Sequence, residues 1–179
     1  MRTEPQTDDR RGFGVKLAAI AAAALAFGTP LVAGLIVLLD PLRRRNPSGR
    51  FLRVASLAAV PADGIPRSFP VVAERRDAWN RFAAEPIGGV FLRHMKDGQV
   101  TALNGICPHA GCFVGFDGTR DRFACPCHKS EFRPDGTRID PERCPSPRDL
   151  DALAVEIRGA EIWVRFENFR AGTREKILA

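Results

Sequence analysis

Cys107, His109, Cys125 and His128 form the pattern C-x-H-x15-C-x2-H, with Cys112 and Cys127 lying inside it. The chain holds only three histidines and five cysteines, and two of the former and four of the latter fall between residues 107 and 128. Two thiolate sulfurs and two imidazole nitrogens, one pair to each short loop, make a four-ligand site. Such a site suits either a tetrahedral zinc ion or a [2Fe–2S] cluster with cysteines on one iron and histidines on the other. Zinc sites usually have C-x2-C or H-x3-H spacing and do not need spare cysteines beside their ligands. Because Cys127 immediately precedes His128, spacing alone leaves Cys127 open as a ligand. With iron, two imidazoles in place of two thiolates remove negative charge and favour the reduced cluster, at about −150 to +300 mV against about −400 mV for all-thiolate plant-type ferredoxins. Each ligand imidazole also keeps a second nitrogen for proton exchange, so electron uptake can be coupled to proton uptake.

Loops of this kind need short, rigid elements to present them. Phe69–Ala73, Val90–His94 and Val100–Asn104 read as strands, the last two joined by a Lys96-Asp97-Gly98 turn. Asp117-Gly118-Thr119 marks a further turn before Asp121–Ala124, and Leu153–Ile157 with Ile162–Phe166 alternate as a closing hairpin. Trp79 and Phe82 predict a short helix or a core-filling excursion. His94, in an apolar strand, reads as a core or edge residue rather than a ligand. By themselves these readings predict a small all-β domain with a metal-loop insertion.

The loops Cys107-Pro108-His109-Ala110-Gly111-Cys112 and Cys125-Pro126-Cys127-His128-Lys129-Ser130-Glu131-Phe132 resemble those of Rieske iron–sulfur proteins, and most closely the iron–sulfur subunit of cytochrome bc complexes. The resemblance covers roughly residues 88 to 166. It implies a mainly β Rieske fold of small antiparallel sheets with an inserted cluster-binding subdomain, about 105–148. It implies one [2Fe–2S] cluster held by Cys107, His109, Cys125 and His128, and a disulfide between Cys112 and Cys127. Ser130 matches the serine whose hydroxyl serves a cluster sulfide. Phe132 stands where a tyrosine usually donates to a cysteine sulfur, and the chain contains no tyrosine at all. A lost hydrogen bond worth about 1 kcal/mol between redox states lowers a one-electron potential by about 40 mV. The expected potential is therefore below that of ubiquinol-type members, which makes a menaquinol-type pool more plausible. Cys144-Pro145-Ser146-Pro147 matches the proline-rich cover loop in its two prolines, with Cys144 in place of a glycine. Cys144 itself reads as a small buried hydrophobe rather than a ligand.

At 179 residues and 45% hydrophobic content, the chain can build one domain and an anchor. Leu17 to Leu39 carries no charge, enough for a transmembrane helix that Gly28-Thr29-Pro30 should kink. It reads as an uncleaved anchor rather than a signal peptide. Arg10-Arg11 with Phe13 and Lys16 resembles a twin-arginine export signal. The expected organisation is an N-terminal cytoplasmic segment at 1–16, an anchor at 17–39, a hinge or linker at 40–68, a Rieske domain at 69–170 and a tail at 171–179. Arg2, Arg10, Arg11 and Lys16 precede the anchor, while Arg43, Arg44, Arg45, Arg50 and Arg53 follow it. That balance argues mildly against an inside amino terminus. The domain is nevertheless placed on the periplasmic side of the inner membrane, because a Cys112–Cys127 disulfide needs an oxidising compartment. The net charge of +6 is dispersed and accompanied by no nucleic-acid motif.

The resemblance implies a respiratory-chain subunit of a quinol:cytochrome c oxidoreductase with no turnover alone. Its partners would be a cytochrome b subunit, a c-type cytochrome, and quinol at a site shared with cytochrome b. His128, and behind it His109, would be the catalytic residues, taking a proton as the cluster takes one electron. The alternatives are the small Rieske subunit of arsenite oxidase and a zinc-stabilised, tethered interaction module.

Overall fold

The strands follow from alternation of apolar residues, and the central pair shows what that alternation achieves. In β3 (Arg81–His94), Val90 and Leu92 are buried in one hydrophobic core while Phe91 between them is buried in another. In β4 (Val100–Asn104), Ala102 and Leu103 divide in the same way. Successive side chains of a strand point to opposite faces. These two strands therefore form the wall between a base core and the core beneath the cysteine–histidine loops.

The computed structural model of the chain describes residues 10–43, 49–76 and 80–179. The remaining strands are β1 (Phe51–Ser56), β2 (Arg67–Arg76), β5 (Gly115–Asp117), β6 (Arg122–Ala124), β7 (Glu131–Phe132), β8 (Ala152–Arg158) and β9 (Glu161–Arg165). Six of the nine make one antiparallel sheet in the order β1-β9-β8-β4-β3-β2. The two edges β1 and β2 approach each other, so the sheet curls toward a barrel. Val60, Val71, Ile162 and Val164 are fully buried in the base core, each stabilising the fold by about 1.5–3 kcal/mol through the apolar surface it removes from water. The second sheet, β5-β6-β7, is inserted between β4 and β8 and carries the loops.

Two expected boundaries are corrected. The linker expected at 40–68 is folded over much of its length: Phe51 and Leu52 pair with Arg165 and Val164, and Val60 is fully buried. The cause is the apolar run Phe51 to Val60, which closes the free edge of β9 and leaves only a short stretch after α1 (Arg10–Arg43). Residues 171–179, expected as a tail, are bonded back onto the domain by Gly172, Thr173 and Lys176. Phe82 lies in β3 and is exposed, so it does not fill a core; Trp79 lies outside the described residues. His94 is the edge residue expected, its Nδ1 sitting 2.8 Å from the Val60 carbonyl.

Helix α1 belongs to a unit of its own, Met1–Asn46. Its stretch Gly12–Asp40 is long and apolar enough to cross a membrane, and the window is wholly exposed. Helical structure continues through Gly28-Thr29-Pro30, where the Thr29 hydroxyl donates to the Leu25 carbonyl at 2.7 Å. The alternating or interrupted pattern that would break a helix in water is tolerated in one whose side-chain hydroxyls bond inward.

Candidate metal centre

The first loop closes on itself through Cys107 N–H to the Cys112 carbonyl at 2.8 Å and Gly111 N–H to the Cys107 carbonyl at 3.0 Å. The second repeats the device with Cys125 N–H to the Ser130 carbonyl at 2.9 Å and Lys129 N–H to the Cys125 carbonyl at 3.1 Å. In each loop a tight turn turns one cysteine inward and leaves the histidine beyond it nearer the surface. Cys107 and Cys125 are buried, His109 is half-buried and His128 is exposed. Phe113, just past the first loop, lies over the backbone of Gly89 and Gly105, where any Cβ would strike its ring. Its stacking on Phe91, with centroids 5.7 Å apart, fastens the loop to β3.

All four expected ligands are brought to one place. The His109 and His128 rings meet edge to face with centroids 4.6 Å apart. Cys125 lies close enough to Cys107 to disfavour the ionisation of the Cys107 thiol. Cys112 and Cys127 are joined in a disulfide that ties the two loops together. The sulfurs of Cys112, Cys125 and Cys127 lie within 4.8 Å of one another, but the disulfide consumes two of the three. Cys125 alone of that group keeps a free thiol, and Cys107 is the other buried free cysteine.

The electrostatics fit a bound metal centre. Burial pushes the Cys107 thiol up; the backbone N–H of His109 opposes this, and neighbouring Cys125 adds to it. Two buried thiolates side by side need positive charge between them. Two buried polar atoms at the site also lack partners within the protein, His109 Nδ1 and the Ser130 hydroxyl. Ser130 is close enough to Cys107 to favour its thiolate, yet no well-formed hydrogen bond closes between them. A buried polar group without a partner costs about 1–3 kcal/mol, so each points to a group that it would serve. His109 Nδ1 has the position of a ligand atom, and Ser130 that of a donor to the centre's acceptors.

Phe132 is fully buried in the core beneath the loops, with Phe123, Leu103 and Val114, and brings no hydroxyl to the site. Cys144 is half-buried, with its sulfur 4.0 Å from the Glu131 carbonyl. In the proline loop Ser146 is buried and donates to the Arg148 carbonyl at 2.7 Å. No motif or spacing indicates that Arg148 and Asp151 form a buried ion pair, 2.8 Å apart. Nor does any indicate that Gly172 donates to the Pro108 carbonyl at 2.8 Å. Gly172 adopts φ +77°, a left-handed conformation that favours glycine.

A small antiparallel β domain with two sulfur and two imidazole donors on disulfide-linked loops has the composition of an iron–sulfur electron carrier. Residues 59–154 match the family model for the Rieske [2Fe-2S] domain, and the chain belongs to that family. It accordingly holds one [2Fe–2S] cluster, and the zinc module is set aside. The chain is 28% identical over 158 residues to the cytochrome b6-f complex iron-sulfur subunit of Chlorobaculum tepidum, covering 87% of this chain and 75% of that one. It is 24% identical to the menaquinol:cytochrome c reductase iron-sulfur subunit of Geobacillus thermodenitrificans, over 70% of this chain and 72% of that one. A 40% identity with the chloroplastic cytochrome b6-f iron-sulfur subunit of Bigelowiella natans extends over 40% of this chain and spans only 29% of the relative's length. Among solved structures, the cyanobacterial plasma membrane Rieske protein of Synechocystis PCC 6803 aligns over 63% of this chain and 97% of its own, at 28% identity and a TM-score of 0.44.

Proposed function

We propose that this chain is the membrane-anchored iron–sulfur electron-transfer subunit of a bc-type quinol:cytochrome c oxidoreductase. The observation that carries the reading is the pair of disulfide-tied loops holding a half-buried His109 against an exposed His128. Names of relatives with long alignments, a cytochrome b6-f subunit and a menaquinol:cytochrome c reductase subunit, support the same class of complex.

When bound, the [2Fe–2S] cluster supplies a one-electron couple. Cys107 and Cys125 would hold it from the buried side, and His109, through Nδ1, together with His128 from the outer side. Exposed His128 would accept a hydrogen bond from a quinol hydroxyl and take its proton on the ring nitrogen not spent on the metal. Ser130 would donate to the centre from below, and the proline loop with Pro145 and Pro147 would keep water from its flank. Phe132 withholds one donor, which lowers the potential and favours a low-potential menaquinol-type donor.

Helix α1 would anchor the chain as a single pass with its amino terminus in the cytoplasm and the Rieske domain on the outer side. The disulfide supports that side, since such bonds persist in oxidising compartments. Arg10-Arg11 would serve as part of a twin-arginine export signal. The short stretch between Arg43 and Phe51 would be the hinge on which the domain passes between cytochrome b and a c-type cytochrome, the tether replacing diffusion by a local concentration. Purification from membranes tests the reading: cytochromes b and c should co-purify, and quinol should reduce the cluster in a manner blocked by quinone-site inhibitors. A molybdopterin protein as partner, with no quinol-dependent reduction, would overturn it in favour of an arsenite oxidase small subunit.

A further inference from the structure

Residues 167–179 add no strand to either sheet, yet they are closed by their own hydrogen bonds. Arg170 N–H donates to the Ile177 carbonyl and Ala179 N–H to the Asn168 carbonyl, both at 2.9 Å. Lys176 lies over the Phe169 ring, 4.4 Å from its centroid, and donates to the Ala152 carbonyl of β8. The turn of this closed segment reaches two loops of the metal centre at once. Gly172 N–H donates to the carbonyl of Pro108, the residue between Cys107 and His109, at 2.8 Å. The carbonyl and hydroxyl of Thr173 accept from Arg148 of the proline loop at 2.6 and 3.1 Å. Arg148 is itself locked by Asp151, with side chains only 10% and 6% exposed. At the root of the segment, buried Asn104 donates to the Glu167 carbonyl at 2.8 Å and accepts from Ile106 N–H at 2.9 Å.

A peptide group is planar, so holding the Pro108 carbonyl fixes the direction of the His109 N–H across the same bond. That N–H lies close to the Cys107 sulfur. Hydrogen bonds to cluster sulfurs help to set the potential, and an N–H whose own carbonyl accepts a bond is the better donor.

We propose that residues 167–179 are a positioning strap: Gly172, by binding the Pro108 carbonyl, aims the His109 N–H at the Cys107 sulfur and so raises the electron affinity of the cluster. This rests on Cys107 and His109 being ligands. The test compares the full-length, cluster-loaded protein with a loaded chain ending at Ala171. The shortened chain should show an equilibrium constant for cluster reduction about three- to tenfold lower, about 30–59 mV for one electron. Its reduced-state EPR g-values should shift while iron per chain stays the same. An unchanged potential with unchanged g-values would overturn the proposal. If the shortened chain sheds its cluster, amide hydrogen exchange in the full-length loaded protein decides instead. Gly172 N–H should exchange at least about tenfold more slowly than in an unfolded chain, and free-chain exchange would sink the strap. Failure of the ligand reading would look different: Cys107→Ser would keep the full-length spectrum unaltered.

Discussion

Ser130 and Phe132 are both fully buried beneath the second loop, and only Ser130 brings a hydroxyl. That hydroxyl has no hydrogen-bond partner in the protein itself, and on the proposed reading it would donate to the cluster. Ser130→Ala should lower the midpoint potential by about 40 mV, taking about 1 kcal/mol as the difference between redox states. Phe132→Tyr should raise it by a similar amount. Redox-titrated EPR checks both, and equal potentials in all three proteins would contradict the assignment. Lys129 poses a different question, because it adopts φ +59°, a left-handed conformation costly for any residue but glycine. Lys129→Gly should therefore stabilise the fold by about 0.5–1 kcal/mol after the flexibility it adds to the unfolded chain. Denaturant unfolding measures this, and a destabilisation would show that the lysine side chain makes compensating contacts. At this scale the Cys112–Cys127 disulfide, present in the structure, is legible only through the family resemblance, because spacing alone leaves Cys127 open as a ligand. The surroundings of Arg148 are not legible, because Thr173 meets it only through the return of the C-terminal segment, while Asp151 lies three residues along the same loop.

Among the elements, the disulfide and the acidic turns carry the testable consequences. Cys112 and Cys127 close a loop with a sequence separation of 15, for which chain entropy suggests about 3 kcal/mol. Replacing both by serine should reduce unfolding free energy by about that amount. A loss near zero would mean that the loops are held by their own hydrogen bonds. Asp117 is held well below the usual carboxylate range, first by the Thr119 hydroxyl and then by Arg120. Asp135 is lowered first by the Thr137 hydroxyl, and Asp63 first by Arg67. A carboxylate whose folded pKa is depressed stabilises the fold above its unfolded pKa of about 3.9 and loses that contribution as pH falls through the folded value. Stability should thus be insensitive to these groups from about pH 5 to 8 and decline below about pH 4. Asp117→Asn should make the acid limb shallower in a series of denaturant midpoints; an identical limb would remove Asp117 from the account. Strand β4 spans the expected Val100–Asn104, directly after the Lys96-Asp97-Gly98 turn. Strand β3 runs much further back than its apolar end suggested, through Gly88, Gly89 and Pro86, residues that read as a turn when taken alone. Strand β1 falls in the expected linker, whose run Phe51 to Val60 is nevertheless apolar enough for a strand, and its partner β9 lies at the other end of the domain sequence.

Among the described residues, one helix is long and apolar enough to span a membrane, and the strands lie in a separate unit, Pro47–Ala179. At about 1.5 Å per residue, the 34 residues of α1 extend about 51 Å, more than a bilayer core of about 30 Å requires. Phe51–Ser56, within the stretch expected as linker, joins the sheet. A reporter that functions only outside the cytoplasm, fused after Ala179, should be active, and cytoplasmic activity there would reverse the topology. The central claim is that Cys107, His109, Cys125 and His128 hold one [2Fe–2S] cluster whose electron uptake is tied to imidazole protonation. Redox-titrated EPR of the loaded protein from about pH 6 to 10 tests it most directly. The potential should be level at the acid end and fall with rising pH at up to about 59 mV per unit once an imidazole titrates in the oxidised state. A potential independent of pH across that range would contradict it.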